Sequence, residues 1–144
     1  ENETMLEHIT RDLFVEDPGF REVNEVIGHV ISGSTASTRF QYPNQSLMDI
    51  QSSLIPCPPL NFVLPSLAPL RSSLACYYEQ AFTDQIIRHC FEKKCMMVNC
   101  GDPFEGEFTS CNVFLRGDVY PLEATRTFQN FQTNGTIPFV DWSP

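Results

Sequence analysis

The sequence lacks several features that would assign it quickly to a functional class. No run approaches the roughly 18 consecutive apolar residues of a transmembrane helix, so no membrane span is predicted. Neither G-x-x-x-x-G-K-[ST] nor G-x-G-x-x-G occurs among its seven glycines, which excludes a recognisable phosphate-binding loop. There is no C-x-x-C pair, the usual sign of a structural zinc site.

Positive charge is also scarce. Nine Lys and Arg face eighteen Asp and Glu, which gives a net charge of −9 and a pI of about 4.6. This balance argues against nucleic acid and against anionic membrane surfaces as partners. A hydrophobic content of 42% with 19% charged residues is typical of a folded protein, and 144 residues suit one domain or one and a half.

The two ends predict a fragment of something longer. The chain opens with Glu-Asn-Glu, without an initiator Met and without the basic and apolar regions of a signal peptide. It ends directly after an apolar stretch. We therefore expect a piece of a larger protein and no signal peptide.

Hydrophobic periodicity predicts alternating helices and strands. Spacing of three and four residues, with Gly and Pro at the ends, predicts helices over 4–14, 20–32, 45–54, 84–91 and 121–132. Stretches rich in β-branched and aromatic residues, or short and apolar, predict strands over 35–42, 60–64, 95–100, 107–116 and 136–142. Residues 65–81 show no period and are predicted as a loop. The fold class is therefore α/β, with a mixed sheet covered by helices.

Four of the six cysteines lie close together, at positions 90, 95, 100 and 111. Gaps of this length do not make the two tight pairs of a zinc site, so no metal is predicted. An even cysteine number, and glycosylation acceptors at Asn2, Asn44 and Asn134, leave a disulfide-bonded secreted domain as an alternative. The preferred interpretation is that the cysteines are reduced and packed in a core, because the chain is long enough to fold without disulfide bonds.

Three further features of the sequence have structural or functional interpretations. Arg116-Gly-Asp118 would recognise integrins only from an exposed extracellular loop, and we interpret it as a turn. His8, His29 and His89 fall on predicted helices and are interpreted as surface or packed residues. Asp49 is the only carboxylate between Glu25 and Glu79, and could position a water for attack on a phosphate or simply be a solvated charge.

Five ordered stretches together resemble the tubulin family, and its α-type members most closely. They are STASTRF (34–40), SLIPCPPLNFVLPSLAPL (53–70), CFEKKCMMVNCGDP (90–103), LRGDVYP (115–121) and TIPFVDWSP (136–144). The opening NETMLEHITRDLFVEDPGF is similar to the segment before the central tubulin helix. The resemblance covers essentially the whole chain, with one apparent deletion near Pro43 and one insertion near Gly101.

The resemblance implies a division of the chain after residue 33. Residues 1–33 would be the end of the GTP-binding domain with the central helix. Residues 34–144 would be a truncated intermediate domain, a two-layer sandwich of a mixed sheet and helices. The phosphate loop and the N-terminal half of the family are not in the sequence. GTP is therefore expected only together with that half, and Mg²⁺ only in the parent protein.

The resemblance also implies site residues. Tubulin residues at the positions of Asn2, Phe20 and Asn24 contact the guanine base. Phe20 stands where α-type members usually have Tyr, which keeps the stacking ring and loses the hydroxyl. Asp49 stands where a Glu helps activate the water that hydrolyses the GTP of the next subunit. The Asp is one methylene shorter, and Ser46 replaces a second acidic residue, so the enzyme activity stays open.

The implied function is head-to-tail polymerisation in the cytoplasmic cytoskeleton. Partners would be a β-tubulin-like subunit and lateral tubulin neighbours, reached through a contact loop at 71–80, with no nucleic acid and no membrane. The cysteines would then be reduced, and the glycosylation acceptors chance matches. One alternative is a non-polymerising module with the tubulin fold and without GTP chemistry. The other is the secreted, disulfide-bonded glycoprotein domain.

Overall fold

The structure is a computed structural model that describes residues 2–40, 45–60, 62–71, 82–99 and 101–142, without the side chains of Asn2 and Thr4. Helices dominate these ranges. In chain order they are α1 (Asn2–Asp12), α2 (Phe20–Ser34), α3 (Ala36–Arg39), α4 (Leu47–Leu54), α5 (Thr83–Cys90) and α6 (Pro121–Asn134), with single 3₁₀ turns at Lys93–Cys95 and Pro103–Glu105. The five predicted helices are confirmed, each within a few residues at its ends.

The strand predicted over 35–42 is wrong, because its first part forms the short helix α3. Side-chain hydrogen bonds join α3 and the residue before it to the end of α2. Arg39 Nη2 donates to the carbonyl oxygen of Ser32 at 2.6 Å, and Thr35 Oγ1 donates to Ile31 O at 2.7 Å. These local bonds outweigh the weak β preference of Thr, which depends on a strand partner to be realised. Residues 41 and 42 lie outside the described residues.

The predicted sheet is not confirmed in the described part of the chain. Two isolated bridges are present there instead. One pairs Ser66 with Met96 in antiparallel sense, and the other pairs Phe108 with Phe139 in parallel sense. The remaining predicted strands are extended or irregular. The two-layer sandwich is therefore still a prediction.

Proline is a physical reason why these bridges stay short. Around Phe108, its N–H donates to Pro138 O at 2.7 Å and its carbonyl accepts from Val140 N at 3.1 Å. At the other bridge, Met97 N donates to Pro65 O at 3.0 Å. Neither Pro138 nor Pro65 has an N–H, so neither can donate a bond to extend its ladder.

A first apolar core lies between α1 and α2. Its buried side chains are Met5, Ile9, Val23, Val26 and Met97. The members on each helix are three or four residues apart and so share one face. Met97 brings the segment after the 3₁₀ turn at Lys93–Cys95 against the same two helices. This core holds α1 on α2.

A second core lies between α5 and α6. Its buried side chains are Ile87, Phe91, Ala124, Phe131 and Ile137. The Phe91 ring is at its centre and meets the rings of Phe108 and Phe131 edge-on, with centroids 5.5 and 6.4 Å away. Such edge-to-face pairs add about 0.5–1.5 kcal/mol each to simple burial.

Candidate functional site

Phe20 and Asn24 lie on one open face of α2. The helix begins after Gly19, whose N–H donates to Glu22 Oε2 at 2.9 Å and so satisfies one of the free amides of the first turn. Residues four apart stand one above the other on a helix. The Phe20 ring is 84% exposed, and the Asn24 carboxamide has no hydrogen-bond partner among the described residues. An aromatic face and an unused amide are thus available side by side.

The open face of α2 continues towards its C-terminal end. Ile27 and Ile31 follow Asn24 at helical spacing and are 36% and 56% exposed. The opposite side of the same helix is buried through Val23 and Val26. A helix that is apolar on two sides has a second surface to bury. The chemistry on that surface is an aromatic ring, an amide and two branched aliphatic side chains.

Asn2, the third residue predicted to contact the base, begins α1. Its side chain lies outside the described part of the structure. In the structure Phe20 and Asn24 lie on one face of α2. Whether Asn2 lies beside them stays a prediction.

Asp49 and Ser46 form a reciprocal cap at the start of α4. Ser46 Oγ accepts from Asp49 N at 3.2 Å, while Asp49 Oδ2 accepts from Ser46 N at 3.0 Å and from Ser46 Oγ at 2.9 Å. This is a capping box with Asp in the place of the usual Glu or Gln. The S-x-x-D spacing at 46–49 is a sequence signal for such a cap, so Ser46 has a structural role beyond replacing an acidic residue.

The cap fixes one oxygen of Asp49 and leaves the other available. Among the described residues, both hydrogen bonds to the carboxylate go to Oδ2. Oδ1 has none within the described residues. The bonds from the backbone N–H and then the hydroxyl of Ser46 lower the pKa of Asp49 below its ordinary value. The residue is therefore an anionic hydrogen-bond acceptor at neutral pH.

A cleft among the described residues lies elsewhere. It has a volume of about 660 Å³ and is lined mostly by apolar side chains, among them Leu13, Val26, Leu70 and Phe114. Phe20, Asn24 and Asp49 are not part of its lining. The open face of α2 and the cap of α4 are therefore surface sites rather than parts of this cleft.

The Arg116-Gly117-Asp118 tripeptide forms an exposed turn, as predicted. Gly117 has φ of +116°, a conformation that side chains with a Cβ rarely adopt. Val119 N donates to Gly117 O at 3.1 Å and closes the turn. The predicted lateral-contact loop falls almost entirely outside the described residues, which end at Arg71 and resume at Phe82.

Within 2–40, 45–60, 62–71, 82–99 and 101–142, no three His, Cys, Asp or Glu side chains are grouped so that they could hold a metal ion. Over the same part of the chain, no helix combines the length and the apolar character of a membrane span.

Comparison with known proteins assigns the family. Residues 58–144 match the family model of the tubulin C-terminal domain. Over 145 aligned positions the chain is 37% identical to the tubulin alpha-2 chain of Homarus americanus, an alignment that covers all of this chain and 32% of that protein. The chain belongs to the tubulin family. It spans about a third of the length of that relative.

The family match can be compared with the helices and bridges of the structure. The match to the C-terminal domain covers α5, α6 and both bridges, and fits a tubulin fold there. The domain boundary after residue 33 stays a prediction. In the structure α2 ends one residue beyond this boundary, at Ser34. The α-type resemblance rests on the same alignment.

Proposed function

We propose that this chain is part of a GTP-binding, α-tubulin-like subunit of the cytoplasmic cytoskeleton. It polymerises head-to-tail with a β-tubulin-like partner and has lateral tubulin neighbours. Family membership and the 37% identity to an α-tubulin support this. The observation that carries the proposal is the open face of α2 with Phe20 and Asn24.

A guanine base fits these two side chains. The ring of Phe20 offers a face for stacking, worth roughly 1–3 kcal/mol for a nucleic acid base on an aromatic side chain. The Asn24 carboxamide offers a donor and an acceptor to the polar edge of the base. Because both side chains are exposed on one face and Asn24 has no partner among the described residues, no existing bond has to break.

The remaining parts of the nucleotide site come from outside this sequence. When bound, GTP supplies the γ-phosphate that is hydrolysed. The sequence has no phosphate-binding loop, and the described residues contain no group of ligands for Mg²⁺. The role of this chain is therefore to bind and orient the base. GTP and Mg²⁺ are cofactors of the longer protein.

Asp49 has the chemistry to orient a water for the GTP of the next subunit. Ser46 holds Oδ2, so the direction of Oδ1 is fixed by the helix rather than by a free rotor. An ionised carboxylate oxygen is a good hydrogen-bond acceptor for a water molecule. Such a bond orients the water, and in-line attack on a phosphate depends on that orientation. Asp49 is the proposed catalytic residue at this interface.

Binding of GTP to the full-length polypeptide tests the proposal. Phe20→Ala and Asn24→Ala each remove one contact, and we expect the dissociation constant for GTP to rise roughly 5- to 100-fold in each. Gln132→Ala is the matched control, because Gln132 is an exposed carboxamide on α6. Unchanged affinity in both α2 variants would contradict the assignment of this face to the base.

Hydrolysis by the assembled protein tests Asp49. With a β-type partner present, Asp49→Asn is expected to slow GTP hydrolysis by about 100-fold or more, the usual contribution of a positioned acid–base group. Asp84→Asn, at an exposed carboxylate in the first turn of α5, is the control and should leave the rate unchanged.

The non-polymerising module is the second candidate. The capping box favours it, because Asp49 has a structural partner that explains its presence without catalysis. A full-length polypeptide that does not bind GTP and does not sediment with a β-type partner under any nucleotide would support this alternative.

A further inference from the structure

His8 is a buried titratable side chain that the proposed function does not use. It lies on α1 and is only 5% exposed. Its ring reaches Met96 O, in the segment at residues 93–97, which is 88 positions away in sequence. His8 thus sits at a contact between two distant parts of the chain, beside the core formed with Met97.

The partners of the two ring nitrogens require the neutral form of His8. Nε2 is 3.1 Å from Met96 O, a pure acceptor, so this nitrogen carries the proton and donates it. Nδ1 is 2.9 Å from Nη2 of Arg11, a guanidinium that can only donate, so Nδ1 must accept. One tautomer of the neutral ring satisfies both contacts, and the charged ring cannot.

Arg11 extends the network to the same distant segment. Its Nη2 donates to Lys94 O at 3.3 Å, and its guanidinium pairs with Asp12 through bonds of 2.9 and 3.0 Å. The neutral His8 ring and Arg11 therefore tie α1 to two neighbouring carbonyls, those of Lys94 and Met96. The tie through Arg11 depends on Nδ1 being unprotonated, whereas Nε2 donates to Met96 O in both forms of the ring.

We propose that His8 is a proton-sensitive latch that holds α1 against residues 93–97 when neutral and loosens this contact when protonated. A proton on Nδ1 places two donors and two positive charges face to face, which displaces the Arg11 guanidinium. Asp12 Oδ2, at 3.8 Å from Nδ1, is positioned to take over as partner of the charged ring. Arg11 then loses its place beside Lys94 O.

The charges around His8 act in both directions. Burial, and then the positive charge of Arg11, lower the pKa of His8, while the Met96 carbonyl and the carboxylates of Asp12 and Glu7 oppose this. The facing segment brings the Lys94 ammonium, which is paired with Glu92, and the Cys95 thiol, whose raised pKa keeps it neutral. The net direction is a pKa below 6.5.

The lowered pKa sets the direction of the pH effect. Below pH 6.5 an open or unfolded form with a free His8 binds the proton more readily than the closed form. Closure is therefore fully favoured above pH 6.5 and weakens as the pH falls below 6.5 towards the lower pKa of the closed form. This latch does not depend on the proposed nucleotide site.

Amide hydrogen exchange of the full-length polypeptide between pH 7.5 and 5.5 tests the latch. After correction for intrinsic exchange rates, we expect the protection of α1 and of residues 93–97 to fall together below pH 6.5. The loss should be at most about tenfold per pH unit, the limit for one proton. His29→Gln, at an exposed histidine of α2, should keep this dependence. His8→Gln should remove it.

A second variant keeps the test decisive if His8→Gln does not fold. Arg11→Met removes the positive charge beside Nδ1, so the pKa of the closed form rises towards that of the open form. The loss of protection at low pH should then be smaller than in the unaltered protein. An unaltered protein without a common loss in the two segments, or a His8→Gln or Arg11→Met protein with the original pH dependence, would overturn the proposal.

Discussion

The cysteine thiols differ in how readily they ionise. Burial raises the pKa of Cys90 and Cys111, and it raises the pKa of Cys95 to about 11. Cys57 is exposed, and all four are free thiols in the structure. Since the thiolate is the nucleophile, burial makes three of these side chains poor ones.

Alkylation rates should follow this order. A pKa of about 11 against the ordinary 9.0 leaves about a hundredfold fewer thiolates on Cys95 at pH 8. Because Cys57 is exposed, we expect iodoacetamide to modify it before Cys90, Cys95 and Cys111, and to modify Cys95 about a hundredfold more slowly than a thiol with a pKa of 9.0, as followed by peptide mass spectrometry. Denaturant should bring the rates together. Equal rates in the folded protein would show that Cys95 is not buried as described.

The pairing of Ser46 with Asp49 predicts a change in acidity. In Ser46→Ala the hydroxyl bond to Oδ2 is lost, so the pKa of Asp49 should rise towards its ordinary value of 3.8. A carboxyl carbon titration by NMR measures this directly. Ser52→Ala on the same helix is the control, because Ser52 Oγ donates to Met48 O and does not touch the carboxylate.

The same pairing predicts how α4 depends on pH. Because the folded pKa of Asp49 is lowered, its contribution to stability is present above about pH 3.8 and is lost as the pH falls through the folded value. The amides of 47–54 should therefore exchange faster in acid than those of α6. In Ser46→Ala this dependence should shrink, and a dependence of unchanged size would contradict the cap.

At the scale of elements, helices could be predicted from the sequence and the sheet could not be confirmed. The helices carry their own signal, because residues three and four apart share a face and bond locally. α5 and α6 then bury Ile87 against Phe131. A strand needs a partner that is distant in sequence, and proline at 65 and 138 removes donors where the two bridges could have continued.

The packing of α5 on α6 predicts a large difference between two isoleucines. Ile87 has no exposed surface, so Ile87→Ala should lower the free energy of unfolding by roughly 2–5 kcal/mol. Ile31 on α2 is 56% exposed, and the same substitution should cost well under half as much. Chemical denaturation of both variants measures the difference. Equal losses would contradict the described core.

Substitution by Ala should change stability in opposite directions at two glycines, one at the end of α6 and one inside α2. Gly135 caps the helix with φ of +58°, and a methyl group there meets nothing within 4 Å, so Gly135→Ala should cost about 1 kcal/mol of backbone strain alone. Gly28 lies inside α2 with open space around it, so Gly28→Ala should stabilise by about 0.5–1 kcal/mol. Thermal unfolding gives both signs.

At the scale of the whole molecule, the resemblance to tubulins is confirmed, while the roles of the site residues stay predictions. Phe20 and Asn24 share a face because the spacing of four residues on a helix can be read from sequence. The partner of Asp49 was not foreseen, although its motif spans only four residues. The latch at His8 cannot be predicted from the sequence, because the carbonyls that His8 and Arg11 contact lie more than 80 residues away. Local patterns are legible in a sequence, and long-range contacts are not.

The central claim is that this chain belongs to a subunit that polymerises with a β-type tubulin in a nucleotide-dependent way. Sedimentation of the full-length polypeptide with β-tubulin tests it most directly, in parallel samples with GTP, a non-hydrolysable GTP analogue, GDP and no nucleotide. We predict that both proteins pellet together with GTP or the analogue and stay in the supernatant with GDP or without nucleotide. A polypeptide that never enters the pellet under any nucleotide, while β-tubulin with an authentic α-tubulin does, would contradict the account.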